Sequence, residues 1–347
     1  MTVETMIDAR RTLLRAAGLV TVVSLLAFPG ISTSQDLGQD TDFNKGGRTA
    51  LQFLKIGIGA RQAALGEASI ASVREANAAL WNPANISGVS NYEASFSYVR
   101  WLADMAYVSG TIGKRWDHIG VVAVSIASLD YGSIEESLVS SSTGSNDTRT
   151  GNTFSGSDLL VGVAFARDFT DRLSIGLGAK FIREDLFRYS VNTIAFDVGT
   201  NYDVGYGGVR LAMSAQNFGG SVKWLGESSQ QEGFDIPLVF RIGISANVFS
   251  GTQNAFANIG SPHQLAISAE AINTNDFSER FHFGAEYLFY DFLAFRGGYR
   301  FNYAEGNVSL GFGLNTRLSG LGVRLDYAYV DYEFLEAPHR LTMAVTF

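Results

Sequence analysis

The last nine residues, His339–Phe347, read HRLTMAVTF. Leu341, Met343, Val345 and Phe347 fall on one phase of a two-residue period, and Arg340, Thr342, Ala344 and Thr346 on the other. That alternation puts the two sets on opposite faces of a β-strand. The ends of soluble domains usually run out in polar residues. Here the apolar face stays intact up to a terminal aromatic, so something other than water must cover it.

The same period recurs upstream. LSIGLGAKF (Leu173–Phe181), FRIGISANV (Phe240–Val248), LAFRGGYRF (Leu293–Phe301) and VRLDYAY (Val323–Tyr329) each carry one apolar face and one face of Gly, Ser and charge. Such strands suit a soluble sandwich, with the apolar face inward, or a membrane barrel, with the apolar face toward lipid. Strand length and loop parity favour the barrel. Fourteen strands can be placed between residues 92 and 347. Most run to about ten to thirteen residues, near the roughly 9–11 that cross a bilayer and longer than ordinary globular strands. Tight turns at Asp117, Asp168–Asp171, Gly205, Asp291 and Ser319-Gly320 alternate with long connections at 131–155 and 218–235. Connection 250–262 and the short first turn near Ala103 break that parity. The expected fold is all-β: a 14-stranded antiparallel transmembrane barrel preceded by a short N-terminal hatch or plug.

Composition agrees. The 347 residues include 38 Gly, 25 Phe and 14 Tyr, with 5 Pro and no Cys. Glycine with aromatics and little proline suits long paired strands. With 26 Lys+Arg against 34 Asp+Glu the chain has no basic excess to recruit nucleic acid. Lack of cysteine excludes disulfides and thiolate metal sites. At the N-terminus, Arg10, Arg11 and Arg15 precede an apolar run from Ala16 to Phe28, which Pro29 and Gly30 break before Ser32-Thr33-Ser34. This reads as an export signal cleaved near Ser34, too short to span a membrane; RRTLLR also has the look of a twin-arginine signal. The expected organisation is a signal peptide over 1–34, a hatch segment over 35–91 and the barrel over 92–347.

The hatch segment is rich in Ala and Gly. Ala68–Val73 is expected to form a short strand and Glu75–Leu80 a helical turn stopped by Pro83. GARQAALGEASIAS (Gly59–Ser72) followed by ANAALWNPANIS (Ala76–Ser87) resembles the start of the PorV/PorQ family, relatives of the FadL-type hydrophobic-compound transporters. The resemblance rests on Gly59, Ala60, Arg61 and Gly66, then on the box Trp81, Asn82, Pro83 and Ala84, and on the late segments ending in Phe347. It implies a barrel in the outer membrane of a Gram-negative-type bacterium, surrounded by lipid. It implies a non-catalytic accessory of type IX secretion that binds exported cargo and meets a secretion or attachment complex. The alternative it implies is a FadL-like channel for small hydrophobic compounds. Phe347 on the lipid face is expected to serve as the signal read by the barrel assembly machinery.

By phase, the lumen-facing charges are Lys180, Asp197, Arg210, Arg241, Glu270, Glu286, Arg296, Arg300, Arg324 and Asp326. Six of the ten are basic, as an anion-selective pore would require. Both signs occur, however, and unpaired charge is costly in a narrow space, so pairing across the barrel that holds the hatch is the expectation carried forward. His118, His263, His282 and His339 have neither metal-ligand nor base–nucleophile spacing and are expected at interfaces or in loops. No cofactor and no metal are expected, and no catalytic residue is assigned.

Overall fold

A computed structural model describes residues 48–137, 149–223, 233–251, 254–260 and 262–347. The expected signal peptide lies outside these residues, as do parts of the two long connections.

Fourteen strands close into an antiparallel barrel. They are β1 (Tyr92–Arg100), β2 (Ala106–Trp116), β3 (Gly120–Asp130), β6 (Gly156–Asp168), β7 (Leu173–Leu186), β8 (Tyr189–Asp203), β9 (Arg210–Gly219), β10 (Val239–Phe249), β11 (His263–Thr274), β12 (Arg280–Phe289), β13 (Leu293–Phe301), β14 (Val308–Leu318), β15 (Leu321–Val330) and β16 (His339–Thr346). A separate two-stranded ribbon, β4 (Ile134–Ser137) with β5 (Arg149–Phe154), stands in the connection between β3 and β6. The sequence reading placed no strands there. The final strand pairs with β15 on one side and β1 on the other, Glu93 opposite Thr346 and Arg100 opposite His339. The Phe347 amide donates to the Tyr92 carbonyl at 3.0 Å. The strand that opened the sequence analysis is therefore the one that closes the barrel, and closure leaves no unpaired edge.

The apolar phase faces outward. Val124, Leu177, Ile242 and Leu310 are more than half exposed at mid-strand. Exposed rings gather at both rims, with Tyr92, Trp116, Tyr202 and Phe292 at the end that carries the strand termini, and Tyr98, Tyr189, Phe281 and Phe301 at the other. An apolar band between two aromatic belts is the outer surface of a lipid-embedded barrel. We call the rim nearest Tyr92 and Phe347 the turn end and the opposite rim the loop end.

Residues 48–91 lie inside the barrel. Their irregular path enters at the loop end, where the Ala50 amide donates to the Asp235 carbonyl at 3.0 Å and Thr49 Oγ1 to Asp276 at 2.9 Å. It leaves at the turn end into β1. A short helix, Ala60–Ala64, packs on β13–β16, and two 3-10 turns, Ala76–Leu80 and Pro83–Gly88, pack on β1–β3 and β6–β8. One expectation fails here, while the helical turn expected over Glu75–Leu80 is present at Ala76–Leu80 and ends ahead of Pro83. Ala68–Val73 forms turns rather than a strand, because its amides are taken by Glu270 on β11 and by local carbonyls. Pro83 does not merely stop a helix; it occupies the first position of the next one, where a missing N–H costs nothing.

Held in detergent, the unheated protein should migrate faster on a gel than the boiled one and show a strand-dominated far-UV spectrum. A monomer soluble without detergent would overturn the membrane reading of the outer face.

Candidate functional site

The lumen is filled by the inner segment, so the site is the set of contacts between that segment and the wall, with the spaces left beside it.

The strongest of these contacts is a closed ring of six alternating charges. Arg61 reaches Glu286 with two hydrogen bonds, Nη2 to Oε1 at 2.7 Å and Nε to Oε2 at 2.9 Å. Glu286 accepts from Arg296 Nε at 2.5 Å, and Arg296 Nη1 donates to Asp326 at 2.7 Å. Asp326 accepts from Arg324 Nε at 3.0 Å, Arg324 Nη2 lies 2.6 Å from Glu75, and Glu75 returns to Arg61 Nη1 at 3.4 Å. Two members belong to the inner segment; the others come from β12, β13 and β15. Three guanidinium groups meet three carboxylates, so burial leaves no net charge. Glu75 also accepts from Gln62 Nε2 at 2.8 Å. Burial alone would raise its pKa, but Arg324, Arg61 and the Gln62 amide outweigh that and hold the carboxyl below its ordinary range. Glu67 is similar: burial opposes its ionisation, yet Arg300, His282 and Arg241 keep its pKa low.

The remaining lumen charges also find partners. Arg300 pairs with Glu67 at 3.1 Å and Arg241 with Glu270 at 2.9 Å, while Glu270 takes the Ser69 and Ile70 amides. Lys180 sits 2.6 Å from Asp197 and donates to Asn217 Oδ1 at 3.1 Å. Asn217 is a bulged residue of β9 at φ 63°, whose amide donates to Asp197. The pair thus clamps a bulge in the wall. Arg210 stands near the turn end, 3.5 Å from Asp203.

Where the wall lacks charge it offers glycine or a short polar side chain. A Cβ on Gly298 would stand 2.0 Å from the Gly66 amide nitrogen, and one on Gly176 would stand 2.2 Å from that of Ala84. Backbone therefore packs on backbone at these two points. Gly66 itself has φ +62°, a conformation few side chains tolerate. The irregular chain and the wall satisfy each other's polar groups: Ser214 donates to the Trp81 carbonyl at 2.9 Å, the Ala60 amide donates to Thr342 at 2.8 Å, and the Asn82 side chain of the inner segment donates to the Thr200 carbonyl of the wall at 3.1 Å. Asn82 is fully buried and caps the following turn through the Ala84 amide. Trp81 donates its indole N–H to the Ile58 carbonyl at 2.8 Å and lies under the Arg241 guanidinium. Gly59, at φ +99°, starts the Ala60–Ala64 helix.

The wall is two-sided. Toward the loop end, Val99, Tyr107, Leu129, Leu160, Ile182 and Val191, from β1–β3 and β6–β8, form an apolar sector that meets Leu51, Phe53 and Ile58 of the inner segment. Phe53 meets Tyr107 edge-on, with centroids 6.3 Å apart. The charged ring occupies the opposite wall. Beside the inner segment at the loop end is a cavity of about 190 Å³ lined by Lys55, Ile56, Glu67, Trp101, Arg241, Arg300 and Tyr303, among others. At the turn end another, of about 360 Å³, is lined by Asp291, Asn315, Arg317, Arg324 and Thr346 among others.

Sequence reasoning missed Glu67 and Glu75, whose only signal was an acid in an Ala- and Gly-rich run. It also missed Arg340, although that residue lies on the polar phase of the final strand. Arg340 is fully buried and donates Nε to the Gly57 carbonyl at 3.2 Å. His282 corrects the expectation of interfacial or loop histidines, since it is wholly buried in the lumen, Nε2 2.8 Å from Tyr303 Oη. His118 is an exposed turn residue, and His263 and His339 contact Tyr287 and Tyr327 near opposite rims. Among the described residues no group of three His, Cys, Asp or Glu side chains could hold a metal ion.

No protein-family model and no curated protein matches the sequence. Solved structures do match in fold. The Ralstonia pickettii toluene transporter TbuX aligns at TM-score 0.54 and 13% identity, covering 83% of this chain and 97% of its own. The TodX deltaS2S3 mutant, a monoaromatic hydrocarbon channel, aligns at TM-score 0.54 and 11% identity over 83% of this chain and 98% of its own. A Pseudomonas aeruginosa FadL homologue aligns at TM-score 0.53 and 8% identity over 84% and 98%. These likenesses establish the fold, a closed antiparallel β-barrel like those of these three proteins. They offer nothing toward the more specific PorV/PorQ expectation.

Glu75→Gln should loosen the inner segment without opening the barrel, because breaking a buried pair costs about 3–5 kcal/mol. The Glu75 pKa is depressed on folding, so its contribution is complete above the ordinary carboxylate range and is lost as pH falls through the lowered value. Protease cleavage within 48–91 should therefore increase on acidification in the wild type and be present at neutral pH in Glu75→Gln. Gly298→Val, which forces side chain against the Gly66 backbone, should behave like Glu75→Gln at neutral pH. An uncut segment in both variants would show that these contacts do not hold it.

Proposed function

We propose that the protein is a non-catalytic outer-membrane channel for small hydrophobic compounds, with residues 48–91 as its plug. The apolar sector at the loop end carries this reading. The inner wall of a water-filled pore is polar, and a buried wall of Val, Leu and Ile offers no hydration to an ion or sugar. It does offer an apolar solute a surface once Leu51 and Phe53 move aside. The toluene transporter and the monoaromatic hydrocarbon channel support the same reading by fold. In this reading the turn end faces the periplasm and the loop end the cell exterior. Lipid covers the outer face, and Phe347, which is outward and half-exposed, contributes to recognition by the assembly machinery. No observation in the structure favours a secretion accessory over a channel.

The test is uptake of labelled toluene by cells producing the protein. Uptake should exceed that of cells without it, rise several-fold for Phe53→Ala, and fall to background for Leu160→Asp, which places a charge in the apolar sector. Toluene entry no faster than in control cells, with the barrel present in the outer membrane, would sink the reading. Recovery of a secreted protein bound to that barrel would then favour the accessory role. Separately, Phe347→Ala should lower the amount of barrel in membranes while Phe347→Tyr has little effect; equal amounts for both would remove Phe347 from assembly.

A further inference from the structure

The outer face of the barrel is not level. On β16, β1, β2 and β3 its outward rows read Met343–Phe96–Gly110–Ile126 and Val345–Ala94–Ile112–Val124. Ala94 and Gly110 stand low among larger side chains, and a groove of about 500 Å³ runs over them. That is well above the roughly 150 Å³ that holds benzene, so the groove has room for a length of hydrocarbon chain. Nothing inside the protein requires glycine at 110. A Cβ on Gly113, on the inward phase of the same strand, would press on Ala76 and Val89 of the inner segment at 3.2 and 3.3 Å. One on Gly110 would meet only ordinary contacts, Ile126 at 3.8 Å and the Ser95 carbonyl at 4.0 Å. The ladders to β1 and β3 run through Gly110 without a bulge, and its backbone is outside the left-handed region. Glycine inside a strand weakens it, and where no bulge or bend explains it, it marks a place where a ligand approaches closely.

A cation stands beyond the turn-end side of the groove. Lys114 follows Ile112 by two residues on the same face of β2, directly opposite Tyr92. A strand rises about 3.3 Å per residue, so Lys114 lies roughly 7 Å past Ile112. Its ammonium is 4.7 Å from the Tyr92 ring and 4.9 Å from the Trp116 ring, both of which belong to the turn-end aromatic belt. That belt marks the depth of lipid headgroups. Lys114 has no carboxylate partner among the described residues. A compact ammonium at headgroup depth matches a phosphate, and the groove beside it, at hydrocarbon depth, matches an acyl chain. Only a phospholipid joins those two chemistries at that spacing. We infer that this face binds one phospholipid, its acyl chain laid over Ala94 and Gly110 and its phosphate on Lys114 between Tyr92 and Trp116. The inference rests on the membrane reading of the outer face and is independent of what the lumen admits.

Dioleoylphosphatidylglycerol, dioleoylglycerol and glycerol phosphate are titrated into the purified protein in detergent, and bound molecules are counted by native mass spectrometry. One phosphatidylglycerol should be retained per barrel, and more tightly than dioleoylglycerol, which lacks the phosphate, or glycerol phosphate, which lacks the chains. Lys114→Gln should weaken its retention roughly fivefold, the scale of one lysine at an anionic lipid surface, leave dioleoylglycerol unchanged, and be largely reversed in Lys114→Arg. Gly110→Leu fills the groove and should abolish retention of both lipids. Gly297→Leu is the control: that glycine is on the outward phase of β13, separated from β2 by β1, β16, β15 and β14, and its Cβ would likewise meet only ordinary contacts. It should retain lipid as the wild type does. If Gly110→Leu loses the heat-dependent gel shift, Lys114→Gln at the surface decides. Equal loss in Gly110→Leu and Gly297→Leu, or unaltered retention in Gly110→Leu or Lys114→Gln, would reduce the lipid to a general coat and overturn the site. A dimer without lipid would give the groove to a second copy and overturn it too. A monomer soluble without detergent would sink the membrane reading itself, whereas a heat-shifting barrel that retains no lipid would sink the site alone.

Discussion

Six charges arranged as a ring, Glu75–Arg61–Glu286–Arg296–Asp326–Arg324, fix how the inner segment sits in the barrel. A lumen this full excludes most water, so any one of these groups alone would be prohibitive to bury. Alternating them lets each guanidinium reach two carboxylates and each carboxylate two guanidinium groups. The arrangement also specifies register. Arg61 and Glu75 are fourteen residues apart in an irregular chain, and only one placement lets both reach β12 and β15. Buried pairs often add little to stability compared with well-packed apolar groups; specifying position is the use to which this ring is suited.

Register alone would not hold an irregular chain in a dry space. Every amide and carbonyl outside regular structure needs a partner, and the wall supplies them from Ser214, Gln216, Thr342, Glu270 and their neighbours. Glycine completes the fit, since the segment can come close enough to bond only where the wall has no Cβ, as at Gly176 and Gly298. The inward phase of Gly, Ser and charge is thus the complement of the plug rather than the lining of open water.

That explains what could be read from sequence and what could not. Two-residue alternation reports which face of a strand meets lipid, and it is local, so strand number, antiparallel closure and the outward apolar face were all legible. The inward positions of Lys180, Asp197, Arg296 and Asp326 followed from the same phase. Their partners did not, because pairing depends on where residues 48–91 run, and that path has no period. The supposed strand at Ala68–Val73 failed for this reason: its amides are claimed by Glu270, some two hundred residues away, and by local carbonyls. Arg340 was in phase and still overlooked, since the apolar set of the final strand drew the reading outward.

The two walls hold the inner segment unequally. Residues 60–88 are tied to the barrel by the charged ring, by close backbone contact at glycine and by side-chain bonds to the wall. Residues 49–58 are tied mainly by apolar contact with Tyr107, Leu129 and Leu160, and by hydrogen bonds and an ion pair to Asp235 and Asp276 at the rim. Apolar contact is non-directional and can be remade with a hydrophobic solute in place of Leu51 or Phe53, whereas an ion pair broken in the same space has no substitute. Local opening follows the weakest cooperative unit. Displacement is therefore expected to begin at 49–58, beside the apolar sector and next to the loop-end cavity, with the segment below Gly59 held as the anchor on which it turns.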